Sequence, residues 1–365
     1  MRLAAPDLTR FAARVLIAAG LAKRHADACA ATFVAADLLG FDTHGVAILP
    51  LFTAGLESGE IARDGEPELI ARHTAHALLD GALLPGPVVM RRAVDLALDL
   101  SMTQAIASVA VRRSANTACL ATYLPPLAAA GRIAMLFVAT PGSAAVAPPG
   151  AARGAYSTDP IAACIPTSGD PVLFDFATSA TTNRMTERAR RAGSTLAFES
   201  LLDAHGQPSA DPACLNTDPP GAIQPLGATH GGHKGFALAL LNESLGGALA
   251  GFGRARAKET GTRAGSACFL QVIDPNAFAG RDVFLREMDA LLHAIGSAAP
   301  IPGGPGPRIP GQRAFAARRE RQRDGIPLHP DIPPLIADLS ERYAVALPVP
   351  LPERDDKMDG FARGT

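Results

Sequence analysis

An excess of charge of one sign is absent from this sequence: 34 basic residues stand against 35 acidic ones, for a formal net charge of -1. That balance gives no general pull toward nucleic acid or an anionic membrane, and small molecules are the expected ligands. Cysteine is sparse and scattered, and Cys29, Cys119, Cys164, Cys214 and Cys268 offer no close-spaced pair of the kind that builds a zinc or dithiol site. A reducing cytoplasm is the expected compartment, and no metal is expected. No apolar run approaches the roughly 18 residues of a membrane helix. Arg10 and Arg14 interrupt the first apolar segment, which argues against a secretory core there. The G-x-G-x-x-G turn that opens a Rossmann helix is also missing.

What is present is a 365-residue chain with 48% hydrophobic residues, enough for two or three lobes around a buried core. Leu8, Phe11, Ala12, Val15 and Leu16 recur at helical spacing, with Asp7 placed as an N-cap and Gly20 as the stop. The segment ADACAATFVAADLL predicts a second helix, which runs into GFDTHG, where Gly40 and Gly45 bracket Asp42, Thr43 and His44. Met90, Ala93, Val94, Ala97 and Leu98 mark another helix, followed by the strand-like IASVAV. IAMLFVAT, IAACIP and PVLFDFATS are three further strands, too closely spaced for helical crossovers, so antiparallel pairing is expected. KGFALALLNESLGGALAGF is apolar nearly all round and predicts a buried helix, and CFLQVID a late strand. The run RRERQR reads as a solvated helix face, since no aromatic residues are interleaved for base stacking.

Among nine histidines, His44 stands out for its glycine and polar neighbours. His233 and Lys234 fall where a helix start would suit an anion, although a capped turn with a solvated lysine accounts for them equally. Asp175 at a strand end, beside Thr178 and Ser179, can serve a ribose or a buried N–H, or simply hold a turn.

Four stretches in order, ADLLGFDTHGVAILPLFTAGLESGEI, TDPIAACIPTSGDPVLFDFATS, GGHKGFALALLNESLGGALAG and PGQRAFAARRERQRDGIPL, resemble the type 2 malate/L-lactate dehydrogenase family over nearly the whole chain. That family includes ureidoglycolate, sulfolactate and cyclic-imine-carboxylate oxidoreductases. The resemblance implies an α/β protein of the α+β type. Its non-Rossmann domain binds NAD or NADP on a largely antiparallel sheet, beside a helical domain, and the protein forms a homodimer with the active site near the interface. It implies three regions: residues 1–115 for substrate and dimerisation, 116–295 for the cofactor-binding sheet, and 296–365 for a C-terminal loop and helical segment returning to the N-terminal region. Thr140, Phe174, Asp175, Phe176, Thr178, Lys234, Pro310 and Gly311 would contact the cofactor, and Thr43 and His44 would sit beside substrate and nicotinamide.

Several positions depart from the family pattern. Its carboxylate-binding Arg is Ile48 here and its Tyr is Phe52. A guanidinium grips a carboxylate through paired, charge-assisted hydrogen bonds that isoleucine cannot make. In RRSANTACLATY the family's general acid/base His is Asn116, while Tyr123 keeps its place. An amide donates a hydrogen bond but has no useful acid–base pKa. The family's Gly-Lys is Arg184-Met185, and the usual Trp is missing because the chain has none. The expected function is an NAD(P)-dependent oxidoreductase with an altered substrate, an imine or a ketone, with His44 and Asn116 as catalytic candidates. Thr43, Ile48, Phe52, Tyr123 and Arg184 are the candidate substrate contacts. The alternative is a non-redox lyase, isomerase or cyclase, or an inactive paralogue, on the same scaffold.

Overall fold

The computed structural model describes residues 1–260, 265–304 and 306–352. After a short strand β1 (Arg2–Leu3), the amphipathic helix α1 (Ala5–Ala18) packs on α2 (Lys23–Leu39), and α3 (Leu49–Ser58) follows. The N-cap of α1 is Ala4 rather than Asp7, because Pro6 is preset for the first turn and Asp7 already lies inside it. A hairpin of β2 (Glu68–Arg72) and β3 (His76–Asp80) leads through α4 (Gly86–Ser101) to β4 (Ile106–Ser114). Then come α5 (Pro125–Ala129), β5 (Ile133–Ala139), β6 (Pro160–Ile165), β7 (Val172–Ala177) and α6 (Asn183–Arg191).

The short strands β8 (Leu201–Leu202), β9 (Pro208–Ser209) and β10 (Ala222–Ile223) form a small sheet of their own. They are followed by α7 (Ala228–Asn242), which runs on as a π-helical turn over Glu243–Ala248, and by α8 (Arg254–Thr260). The chain finishes with β11 (Ser266–Ile273), α9 (Arg281–Gly296), α10 (Gln312–Asp324), β12 (Ile326–Pro327) and α11 (Ile332–Tyr343).

The main sheet has seven strands in the order β2-β3-β4-β11-β5-β6-β7. The strands read at residues 106–111, 133–140, 161–166, 171–179 and 268–274 all belong to it, and their mutual pairings are antiparallel. The exception in the sheet is the parallel pair β3–β4, joined by the crossover helix α4. Strands β2, β3 and β4, from residues 68–114, share this sheet with the strands that follow residue 115.

One core lies between the sheet and the helices α2 and α4, built on Met90, Leu96, Val109, Leu136 and Leu270. A second core holds α1, α2, α3 and α11 together around Phe11, Phe33, Phe52 and Ile336. Strand β1 pairs with β12, so the last segments lie against the first. The expectation of a buried helix at residues 234–252 needs correction. Leu238, Leu240, Leu241 and Leu249 are 36–57% exposed in the single chain, because no described residue packs over that face.

Candidate active site

The first wall is the turn after α2. Gly40 ends that helix in the left-handed conformation (φ +90°), and the chain doubles back through Phe41–Gly45. Asp37, buried one turn inside α2, accepts a hydrogen bond from the Val46 N–H at 2.9 Å. A Cβ on Gly45 would come within 1.9 Å of the Asp37 carboxyl, so only glycine lets the turn close on this latch. Burial pushes Asp37 up to about 8. The latch fixes His44, whose Nδ1 lies 2.9 Å from Thr43 Oγ1. Burial, together with the charge of Arg184, lowers His44 to about 4, so its ring is neutral at pH 7.

The second wall is the stretch after β4. The first residue of α4 touches it directly: the Gly86 N–H donates to Asn116 O at 3.1 Å, and a Cβ there would lie 2.3 Å from that oxygen. The Asn116 side chain turns back so that its Oδ1 accepts from the Ala118 N–H at 2.9 Å, which supports Ala118 at φ +56°. Asn116 itself is exposed to the cleft. Tyr123 donates to Thr117 O at 2.6 Å from inside the core. Asp175 on β7 anchors the same stretch, with Oδ2 accepting from the Ala121 N–H at 2.9 Å and from the Cys119 thiol at 3.5 Å. Burial raises Asp175 to about 6 against those hydrogen bonds.

The third wall combines the end of β5, the loop before β6, β7 and the start of α6. The helix starts where Thr182 Oγ1 accepts from the Met185 N–H at 3.2 Å. These walls enclose a cavity of ≈ 580 Å³, which brings Thr43, His44, Ile48, Asn116, Thr140, Asp175, Phe176 and Arg184 to one surface. Arg184, Thr43 and Glu187 also face an adjoining cavity of ≈ 490 Å³. The helix is tied across to the first wall by Arg188, which reaches Asp42 at 3.3 Å and Asp331 at 2.9 Å.

Other candidates lie elsewhere. Phe52 is fully buried edge-on to Phe33, and Tyr123 is buried behind the cleft, so both are core residues rather than cavity residues in this chain. Thr178 is buried and donates to Thr158 O at 3.2 Å, which braces the loop before β6. Phe174 packs with Phe137 and Phe269 on the sheet. Pro310 O accepts from the Leu173 N–H at 3.1 Å, and Gly311 (φ +97°) lies against Leu173, so the two cover the edge of β7. Lys234 is exposed on α7 and is not among the residues lining this cavity.

Sequence reasoning missed Ser143, Ser157 and Thr158, which add hydroxyls to the cavity wall. It also missed the support behind them. Arg254 ties Glu243 to Ser143 O (2.8 Å), beside the fully buried Asp159, whose carboxyl is raised by burial and by Glu243. The run STDP before a strand was the available signal for the hydroxyls. Nothing local could have joined residues 143, 159, 243 and 254.

The sequence model of the malate/L-lactate dehydrogenase family matches residues 3–334. Hydroxycarboxylate dehydrogenase B of Escherichia coli strain K12 is 30% identical over 332 residues, 90% of each chain. The Δ1-pyrroline-2-carboxylate/Δ1-piperideine-2-carboxylate reductase of Pseudomonas aeruginosa is 30% identical over 340 residues, covering 89% of this chain and 95% of that one. Among solved structures, malate dehydrogenase of Pyrococcus horikoshii superposes with a TM-score of 0.84 at 26% identity, covering 95% of this chain and 96% of that one. The Δ1-piperideine-2-carboxylate reductase of Pseudomonas syringae gives 0.80 at 26% identity, over 93% and 99%. With its mixed α/β architecture, its mostly antiparallel sheet and a family match that spans most of its length, this chain belongs to the malate/L-lactate dehydrogenase family of oxidoreductases.

Proposed function

We propose that this oxidoreductase is an NAD(P)H-dependent reductase of cyclic imines that carry a carboxylate beside the C=N bond. The observation that carries the reading is the protonation pattern of the cleft. Asn116 has no acid to give, His44 is held neutral, and Asp175 lies largely ionised near pH 7. A ketone needs a proton as its oxygen becomes an alkoxide, and this set of groups is poor at supplying one. An imine can enter already protonated, and the Asp175 carboxylate favours that cation. Reductases of such imines occur among the relatives.

The cavity wall fits a nicotinamide. Thr140, Ser143, Ser157 and Thr158 offer hydroxyls to a carboxamide, and Phe176 offers a flat apolar face. When bound there, the reduced ring supplies the hydride. The chain's own part is to hold the substrate between the His44 turn and the Asn116 stretch, to keep the protonated nitrogen near Asp175, and to limit water. The exposed leucines of α7 further support a homodimer, since such a face is normally covered.

The test is the loss of NADPH or NADH absorbance with purified protein. Δ1-pyrroline-2-carboxylate should be reduced at least about 100-fold more efficiently than oxaloacetate or pyruvate, the span one general acid can contribute. Faster turnover of the 2-oxo acids, or binding of neither nicotinamide in calorimetry, would overturn the reading. Light scattering should give twice the chain mass.

A further inference from the structure

Four arginines lie on α6, and three of them have partners. Arg188 is held by Asp42 and Asp331. Arg190 and Arg191 both bind Glu187, at 2.8 and 2.7 Å, and occupy its two oxygens. Arg184 makes no hydrogen bond or ion pair with any described residue. The carboxylate nearest to it along the helix is therefore already taken.

This unpaired guanidinium is half-buried and faces both cavities. It is also the one Lys or Arg side chain among the described residues lining the ≈ 580 Å³ cavity. Removing a guanidinium from water without a counterion is costly, and the tension shows in its lowered pKa, which burial and the neighbouring Arg191 both cause. An arginine left in that state is suited to an anion that arrives from outside, because its planar fork matches two carboxylate oxygens.

We infer that Arg184 is the anion-binding residue of this cleft and that it grips the carboxylate of the substrate. The inference deepens the imine-carboxylate reading and rests on it for the identity of the substrate. Arg184 and Asp175 would then hold the two ends of a zwitterion, the carboxylate at α6 and the protonated nitrogen at the Asn116 stretch. The cleft would select for a short spacing between those charges.

The test uses a probe that cannot be reduced, so it does not depend on turnover. Calorimetry compares pyrrole-2-carboxylate with the neutral pyrrole-2-carboxamide on wild type, Arg184→Ala and Arg184→Lys. Wild type should prefer the carboxylate by about 10- to 100-fold, as expected for one charge-assisted pair. Arg184→Ala should lose that preference, and Arg184→Lys should keep part of it. The melting temperature and NADPH affinity should not move, because the side chain has no partner in the fold. In turnover with Δ1-pyrroline-2-carboxylate, Arg184→Ala should raise KM far more than it lowers kcat.

Equal binding of the carboxylate by wild type and Arg184→Ala would overturn the inference. So would a loss of NADPH affinity alone, which would make Arg184 a phosphate contact, or a change of oligomeric state alone, which would make it an interface residue. Wild type that prefers the carboxylate but consumes no NADPH leaves the clamp standing and removes the reductase reading.

Discussion

At the scale of single residues, the cleft is set by which groups carry charge. Asp175 is raised to about 6 by burial, and in the proposed reaction it would be the ionised partner of a protonated imine. Its active form is the anion, so kcat/KM for an imine should fall as pH drops through about 6. Asp175→Asn should lower the plateau and remove that limb, which a pH–rate profile reads directly. His44 adds no inflection between pH 5.5 and 7.5, since it is neutral throughout that range. Asn116→His puts an imidazole where the cleft has an amide. It should raise oxaloacetate reduction by about 10- to 100-fold below its own pKa, part of what a well-placed general acid gives. Imine turnover should barely change, because its substrate brings a proton. That Asn116 belongs to the cleft wall was legible from the sequence, since a motif position was visibly altered. The neutrality of His44 was not, because it depends first on burial in the folded cleft and then on Arg184, which is 140 residues away in the chain.

At the scale of elements, what the sequence made legible is what periodicity encodes. The amphipathic α1, the crossover α4 and the strands β4 to β7 each carry their own pattern, and close spacing alone pointed to antiparallel pairing. The insertion of β11 between β4 and β5 was hidden, because pairing across more than 120 residues leaves no local trace. The exposure of α7 was hidden too, since composition cannot say whether a neighbouring surface belongs to the same chain. The way elements clamp the site is equally non-local, and Gly86 is the clearest case. Its missing side chain lets the start of α4 touch the Asn116–Thr117 backbone, which lies 2.3–2.4 Å from where a Cβ would be. Backbone atoms cannot rotate away as a flexible side chain can. Gly86→Ala should therefore shift this stretch, destabilise the fold by about 1–3 kcal/mol and lower kcat, although it touches no substrate. Thermal unfolding and steady-state kinetics on the same preparation check both halves. Full stability with full activity would mean that the contact yields.

At the scale of the whole molecule, the first strand and the C-terminal helices α10 and α11 close over the helical core. Strand β1 pairs with β12, and Arg321 on α10 donates to the Asp37 carbonyl at the end of α2. Asp37 thus joins the His44 turn to the C-terminal helices, and its protonation becomes a property of the fold. Its folded-state value of about 8 lies above the ordinary 3.8, and Asp159 is raised as well. A raised carboxyl contributes stability that is complete below the unfolded pKa and is lost as pH rises through the folded one, because the unfolded chain releases the proton first. His44 has the opposite sense: its lowered value makes the fold lose stability as pH falls from about 6.5 toward about 4. From about pH 4 upward the raised carboxyls Asp37, Asp159 and Asp175 outweigh the single opposing trend of His44, so the urea midpoint should fall as pH rises, including across pH 6.5 to 8.5. Asp37→Asn separates the cause. An amide keeps the acceptor for the Val46 N–H and cannot ionise, so the variant should come closest to wild type near pH 4 and lose less than wild type between pH 6.5 and 8.5. If wild type and Asp37→Asn decline in parallel over that window, Asp37 is already ionised in the fold and the latch is an ordinary carboxylate.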